Sequence, residues 1–82
     1  MNSVLVVFAS VATANRVKSI LLKNFGINSF IIQTPKALSS YSGCSYCLRL
    51  SREHMNTVWK IVTSNGLSSK GIFDARDYTK LK

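Results

Sequence analysis

The residues in this chain whose types and spacing invite chemistry are Cys44 and Cys47, in the stretch Ser42-Gly43-Cys44-Ser45-Tyr46-Cys47-Leu48-Arg49. Three kinds of chemistry use such a pair. A dithiol where a strand runs into a helix cycles between thiol and disulfide, because the helix N-terminus lowers the first thiol's pKa. A structural zinc site takes four ligands, often from two such pairs. A single exposed thiolate can accept and pass on a group without a partner thiol.

The sequence around the pair discriminates among them. Leu48, Arg49 and Leu50 continue an apolar/polar alternation from Tyr46, so Cys47 falls in a strand, not at the start of a helix. Residues three apart in a strand point to opposite faces, so a Cys44–Cys47 bridge needs a turn or bulge at Ser45–Tyr46. Zinc fares worse. The one histidine is His54 and there are three acids, so a single copy does not close a tetrahedral site. Two copies could share one, but no metal or cofactor is expected. Cys44 alone then carries the functional reading. It follows Gly43 at the exit of a serine-rich loop, with Lys36, Arg49 and Arg52 near in sequence to favour its thiolate. Cys47 is either a resolving thiol or a filler, and the plainest alternative is two small half-buried side chains with no role. His54 reads as a surface residue at a helix start, with a base for Cys44 as the sharper alternative. No Ser-His-Asp set, glycine-rich phosphate loop or carboxylate pair is present, so an enzyme acting on its own is not expected.

The elements that position these residues follow from periodicity. Ser3–Ser10 is apolar on both faces and β-branched, as a central strand is. Ser10 can cap a helix whose apolar positions are Ala14, Val17, Ile20, Leu21 and Phe25, and which Gly26 stops. Ile27–Thr34 reads as a second strand closed by Pro35, and Lys36–Gly43 as a polar loop with at most one turn. Cys44–Ser51 is the third strand. Ser51 begins a second helix with a stripe of Met55, Val58, Ile61 and Val62, flanked by Trp59 and ended by Gly66. Ser69–Arg76 is a last strand. The plan is an α+β, ferredoxin-like βαββαβ domain over residues 1–76, with a four-stranded antiparallel sheet and two helices on one face. Residues 77–82 form a polar tail that is expected to fray. Leu48 and Leu50 must lie under the helices, so Cys47 and Arg49 face away. That half-apolar open face should be covered by a second copy of the chain, giving a homodimer, or by the tail.

The net charge is +8, from eleven Lys and Arg against three acids. It draws polyanions, so a binding module for RNA or an acidic protein is the alternative class. The charges are scattered, however, and the third strand offers the open face no aromatic for stacking, which disfavours nucleic acid. No apolar run approaches the length of a membrane span, and the apolar N-terminus lacks the basic lead of a secretory signal, so a cytoplasmic protein is expected.

The motifs also resemble a family. Phe8-Ala9-Ser10 ends the first strand, Leu21-Leu22-Lys23-Asn24-Phe25-Gly26-Ile27 closes the helix, and Thr34-Pro35-Lys36 with Leu38-Ser39 precedes Cys44, Leu48 and Arg49. In order and spacing this is similar to the selenium/sulfur (Se/S) carrier protein-like family of small bacterial domains, over roughly Val4–Arg76. The resemblance puts the family's cysteine on Cys44. Ser45 stands where the family has glycine, Cys47 where a small apolar residue is usual, and the helix is about one residue longer. It implies a carrier that holds sulfur or selenium on Cys44 as a persulfide or selenosulfide and moves it between donor and acceptor proteins. The loop residues Thr34, Pro35, Ser39, Gly43 and Ser45 would present it. A Cys44/Cys47 thiol-disulfide protein is the other sulfur-based reading.

Overall fold

The computed structural model describes residues 2–41, 46–67 and 69–82, with 39–41 described by backbone alone. The first strand, β1, runs Ser3–Phe8, and every side chain from Val4 to Phe8 is buried. The helix α1, Val11–Phe25, starts where expected: the Ser10 hydroxyl accepts the Thr13 backbone N–H at 3.3 Å. It ends in a Schellman closure. Gly26 takes the left-handed conformation (φ 65°), its N–H donates to the Leu22 carbonyl, and the Ile27 N–H donates to Leu21. Ile27 is thereby tied to the helix, so β2 spans only Phe30–Gln33, shorter than the expected Ile27–Thr34.

After Pro35 the chain forms a 3-10 helix, Lys36–Tyr41, in what the sequence presents as a polar loop. Then come β3, Tyr46–Ser51, α2, Met55–Ser64, and β4, Ser69–Asp74. Ser51, expected as the cap of the second helix, is instead the last residue of β3 and makes no side-chain cap bond. A 3-10 turn, Arg52–His54, leads into α2.

The four strands form one antiparallel sheet in the order β2-β3-β1-β4. With two helices, the fold is α+β and ferredoxin-like in the order of its elements, as the sequence implies. The register places alternate residues on two faces. Val4, Val6, Phe8, Leu48, Leu50 and Ile72 join Ala14, Val17 and Leu21 of α1 and Val58, Ile61 and Val62 of α2 in the larger core. Phe25, expected on the buried stripe of α1, is exposed instead.

The other face carries a second core. Leu5, Val7, Cys47 and Phe73 are buried there together with Leu38 of the 3-10 helix, and Ile32, Ala75 and Tyr78 pack around them. Fully burying one such aliphatic or aromatic side chain stabilises by ~1.5–3 kcal/mol, so this small cluster matters to a domain of this size. The cover comes from the chain itself. Leu38 closes it from one side and the turn after β4 closes it from the other.

That turn begins a tail whose backbone is bonded to β4. The Tyr78 N–H donates to the Asp74 carbonyl, the Asp74 N–H to Thr79, and the Leu81 N–H to Ile72 at 2.7 Å. Lys80 bridges to Phe73, and Leu81 reaches the helix-side core. Asp77 accepts the Thr79 N–H at 3.0 Å, and these bonds from Thr79 hold its carboxyl below the usual range. The outer edge of β4 is thus occupied, and among the described residues β2 is the strand left at an open edge.

Candidate functional site

Gly43, Cys44 and Ser45 lie outside the described residues. The elements that bracket them are described: the 3-10 helix up to Tyr41, and β3 from Tyr46. The register of β2 and β3 sets the neighbourhood, with Gln33 opposite Tyr46 and Ile32 opposite Cys47.

Cys47 is fully buried, on the sheet face turned away from the helices, as the alternation of its strand requires. Leu38 is 1% exposed in the same cluster. Sequence reasoning did not assign Leu38 this role. Its signal was slight: it is the one large aliphatic side chain between Pro35 and Gly43.

The loop residues divide by position. Thr34 and Pro35 join β2 to the 3-10 helix, Lys36 opens that helix with an exposed side chain, and Ser39 lies within it. The Thr34 hydroxyl oxygen is buried and has no hydrogen-bond partner among the described residues. Arg49 is exposed on the second face, opposite Leu5 on one side and Phe30 on the other. With Pro35 and Tyr78 it lines a hollow of about 190 Å³. Thr34, Pro35, Cys47 and Arg49 therefore belong to one region built on β2, β3 and the 3-10 helix.

Arg52 and His54 do not. β3 is six residues long, ~20 Å at 3.3 Å per residue, and both residues follow its far end. Arg52 directs its guanidinium to the buried Asp74 carboxylate at 3.4 Å, and His54 lies 3.4 Å from Glu53. Asp74 also accepts the Arg76 N–H at 2.8 Å. The three acids of the chain are accounted for here: Glu53 beside His54, Asp74 beside Arg52 and Arg76, and Asp77 in its own turn. Arg49 has no carboxylate within salt-bridge distance.

The geometry bears on the other chemistries. Among the described residues, no cluster of His, Cys, Asp or Glu could hold a metal ion, and no helix is long and apolar enough to cross a membrane. On the central strands β1 and β3, the second face shows no exposed aromatic among the described residues, because Leu5, Val7 and Cys47 are covered. A base-stacking platform of the kind sheet-face RNA binders use is missing from them.

A family model described as Putative Se/S carrier protein-like matches residues 3–74. The chain belongs to this family. The match takes in all four strands and both helices, and the family's description names a carrier of selenium or sulfur. No curated protein and no solved structure matches the chain.

Proposed function

We propose that the chain is a small cytoplasmic carrier that holds a sulfur or selenium atom on Cys44 and delivers it to a partner protein. The observation that carries this reading is the burial of Cys47. Of the two thiols in the chain, that one is closed to solvent, which leaves Cys44 as the candidate. Membership of the family supports the carrier role, and Cys44 is the position on which the family's cysteine falls.

The exchange needs no oxidant. The Cys44 thiolate attacks the outer sulfur of a donor's persulfide. The donor's S–S bond breaks, its thiolate leaves with the electron pair, and Cys44 becomes the persulfide. An acceptor thiolate repeats the step on the outer sulfur of Cys44 and regenerates the Cys44 thiolate. A donor bearing selenium as its outer atom gives a selenosulfide by the same sequence. Such a carrier needs a nucleophilic thiolate that two partners reach in turn, and cationic neighbours that favour the thiolate. Lys36 and Arg49 are the candidates for that role. Arg52 is engaged with Asp74 at the far end of β3 and is assigned to stability instead.

The buried Cys47 also weakens the thiol-disulfide reading, since a resolving cysteine would have to leave the second core in every cycle. The test is loading by a cysteine desulfurase, read by intact mass. Cys44→Ser should take up no sulfur, while Cys47→Ser keeps most of the wild-type loading. Equal loading of Cys44→Ser and wild type overturns the proposal.

A further inference from the structure

The two edges of the sheet are treated differently. β4 has its outer edge taken by the tail, through the Lys80 bridge to Phe73 and the bond from Leu81 to Ile72. β2, Phe30-Ile31-Ile32-Gln33, pairs with β3 on one side and, among the described residues, has no strand on the other. Its four residues include no charge and no proline, two of the usual protections of an exposed edge. Its first residue, Phe30, is 63% exposed, the largest value among the exposed large hydrophobic side chains described.

At the Phe30 end of β2 lies a hollow of about 660 Å³. Phe30 and Arg49 form its walls, with Asn28 and the hydroxyl-bearing Ser3 and Ser51 around them. Phe30 and Arg49 are direct cross-strand partners, so the apolar ring and the guanidinium sit side by side on the same face. No acid lines the hollow, and the three acids of the chain are engaged elsewhere.

We propose that β2 is a docking edge for an extended acidic segment of a partner protein, which adds as a fifth strand and places a carboxylate on Arg49 and an apolar side chain against Phe30. Strand addition supplies backbone hydrogen bonds for affinity, and the alternate side chains supply selection. Charge decides the occupant. A second copy of the chain would bring +8 against +8, whereas an acidic strand meets the Arg49 guanidinium, which has no carboxylate within salt-bridge distance among the described residues. The placement also deepens the carrier reading, on which this clause alone rests. The added strand would run along β2 towards Gln33, which pairs with Tyr46, two residues after Cys44 in sequence. The docking edge and the carrier thiol would then serve one partner.

The probe is a fluorescent capped hexapeptide of sequence Glu-Thr-Val-Thr-Glu-Thr, which puts glutamate and valine on one face of the strand, with the peptide carrying lysine for each glutamate as its control. Binding is followed by anisotropy and by amide NMR shifts on the Cys44→Ser chain, so the result does not depend on whether sulfur is carried. The glutamate peptide should bind, weaken with salt, and shift residues 30–33 and 49. Methylating the alternate peptide nitrogens that face β2 should lower affinity by about tenfold or more through lost backbone bonds. Arg49→Gln, a surface change, should lower affinity by a similar factor while leaving the fold's spectrum intact. The proposal is overturned if the peptide does not bind, if the lysine peptide binds equally, if N-methylation or Arg49→Gln has no effect, if the shifts map elsewhere, or if β2 pairs with a second copy instead.

Discussion

Cys47 lies directly opposite Val7 across the β1–β3 ladder, on the face that the two helices leave bare, and both side chains are fully buried. This pairing makes Cys47 part of a core.

The first prediction concerns that core. In the native protein, iodoacetamide should modify Cys47 only through opening of the segment that covers it, while Cys44 reacts first. Leu38→Ala removes the cover's main apolar contact. It should destabilise by about 2 kcal/mol, the low end for such changes, because a single 3-10 helix can relax around the gap. Cys47 labelling should then accelerate by roughly thirtyfold, the same energy expressed as an opening equilibrium. Peptide mapping of the alkylated protein gives both rates.

A second prediction separates Arg52 from Asp74. The Asp74 carboxylate is nearly buried and accepts both the Arg52 guanidinium and the Arg76 backbone N–H. Asp74→Ala should cost about 2 kcal/mol, since it strands a backbone donor and a cation. Arg52 is far more exposed, so Arg52→Ala should cost no more than about 1 kcal/mol. Urea midpoints measure both. Sulfur loading on Cys44 should be unchanged in Arg52→Ala.

The tail supplies a third. Deleting residues 77–82 removes Tyr78 from one core, Leu81 from the other and the strand-like cover from the edge of β4. Stability should fall by about 2–3 kcal/mol, as expected for two partly buried apolar side chains and their backbone bonds. The uncovered edge should also raise self-association, visible in sedimentation as a concentration-dependent species. A truncated chain with unchanged stability would mean that the tail contacts contribute nothing.

Thr34 offers a fourth, of opposite sign. Its buried hydroxyl oxygen has no partner among the described residues, so Thr34→Val replaces an unsatisfied polar atom with a methyl group of similar shape. The change should be neutral or stabilise by up to about 1 kcal/mol in thermal or urea unfolding. A loss of 1 kcal/mol or more would mean that the hydroxyl has a partner in solution.

Much of the fold was legible because the pattern left few choices. A strand apolar on both faces had to be central, and β1 is. Gly26 had to end the first helix, and its left-handed φ shows why. The alternation from Tyr46 to Leu50 fixed which face Cys47 takes. What escaped were contacts made by single apolar residues in polar surroundings. Leu38 stands alone in a serine-rich loop, and Tyr78 and Leu81 stand apart in a charged tail, so no periodicity marks them. Yet each reaches a core, because a small domain can close a sheet face with a few side chains from its connections. The start of β2 is set by a local bond that composition does not show: Ile27 has the side chain of a strand residue, but its N–H is taken by the closure of α1. Arg52 was grouped with Arg49 by sequence distance, while the length of β3 holds it at the other end of the sheet.

The most direct measurement is intact and peptide-level mass spectrometry of the protein isolated from cells without reductant. The account predicts an added sulfur or selenium atom on the Cys44 peptide in a fraction of the molecules, removed by mild reductant, with the Cys47 peptide unmodified. An adduct on Cys47 in place of Cys44, or a Cys44–Cys47 disulfide as the dominant species, would contradict it.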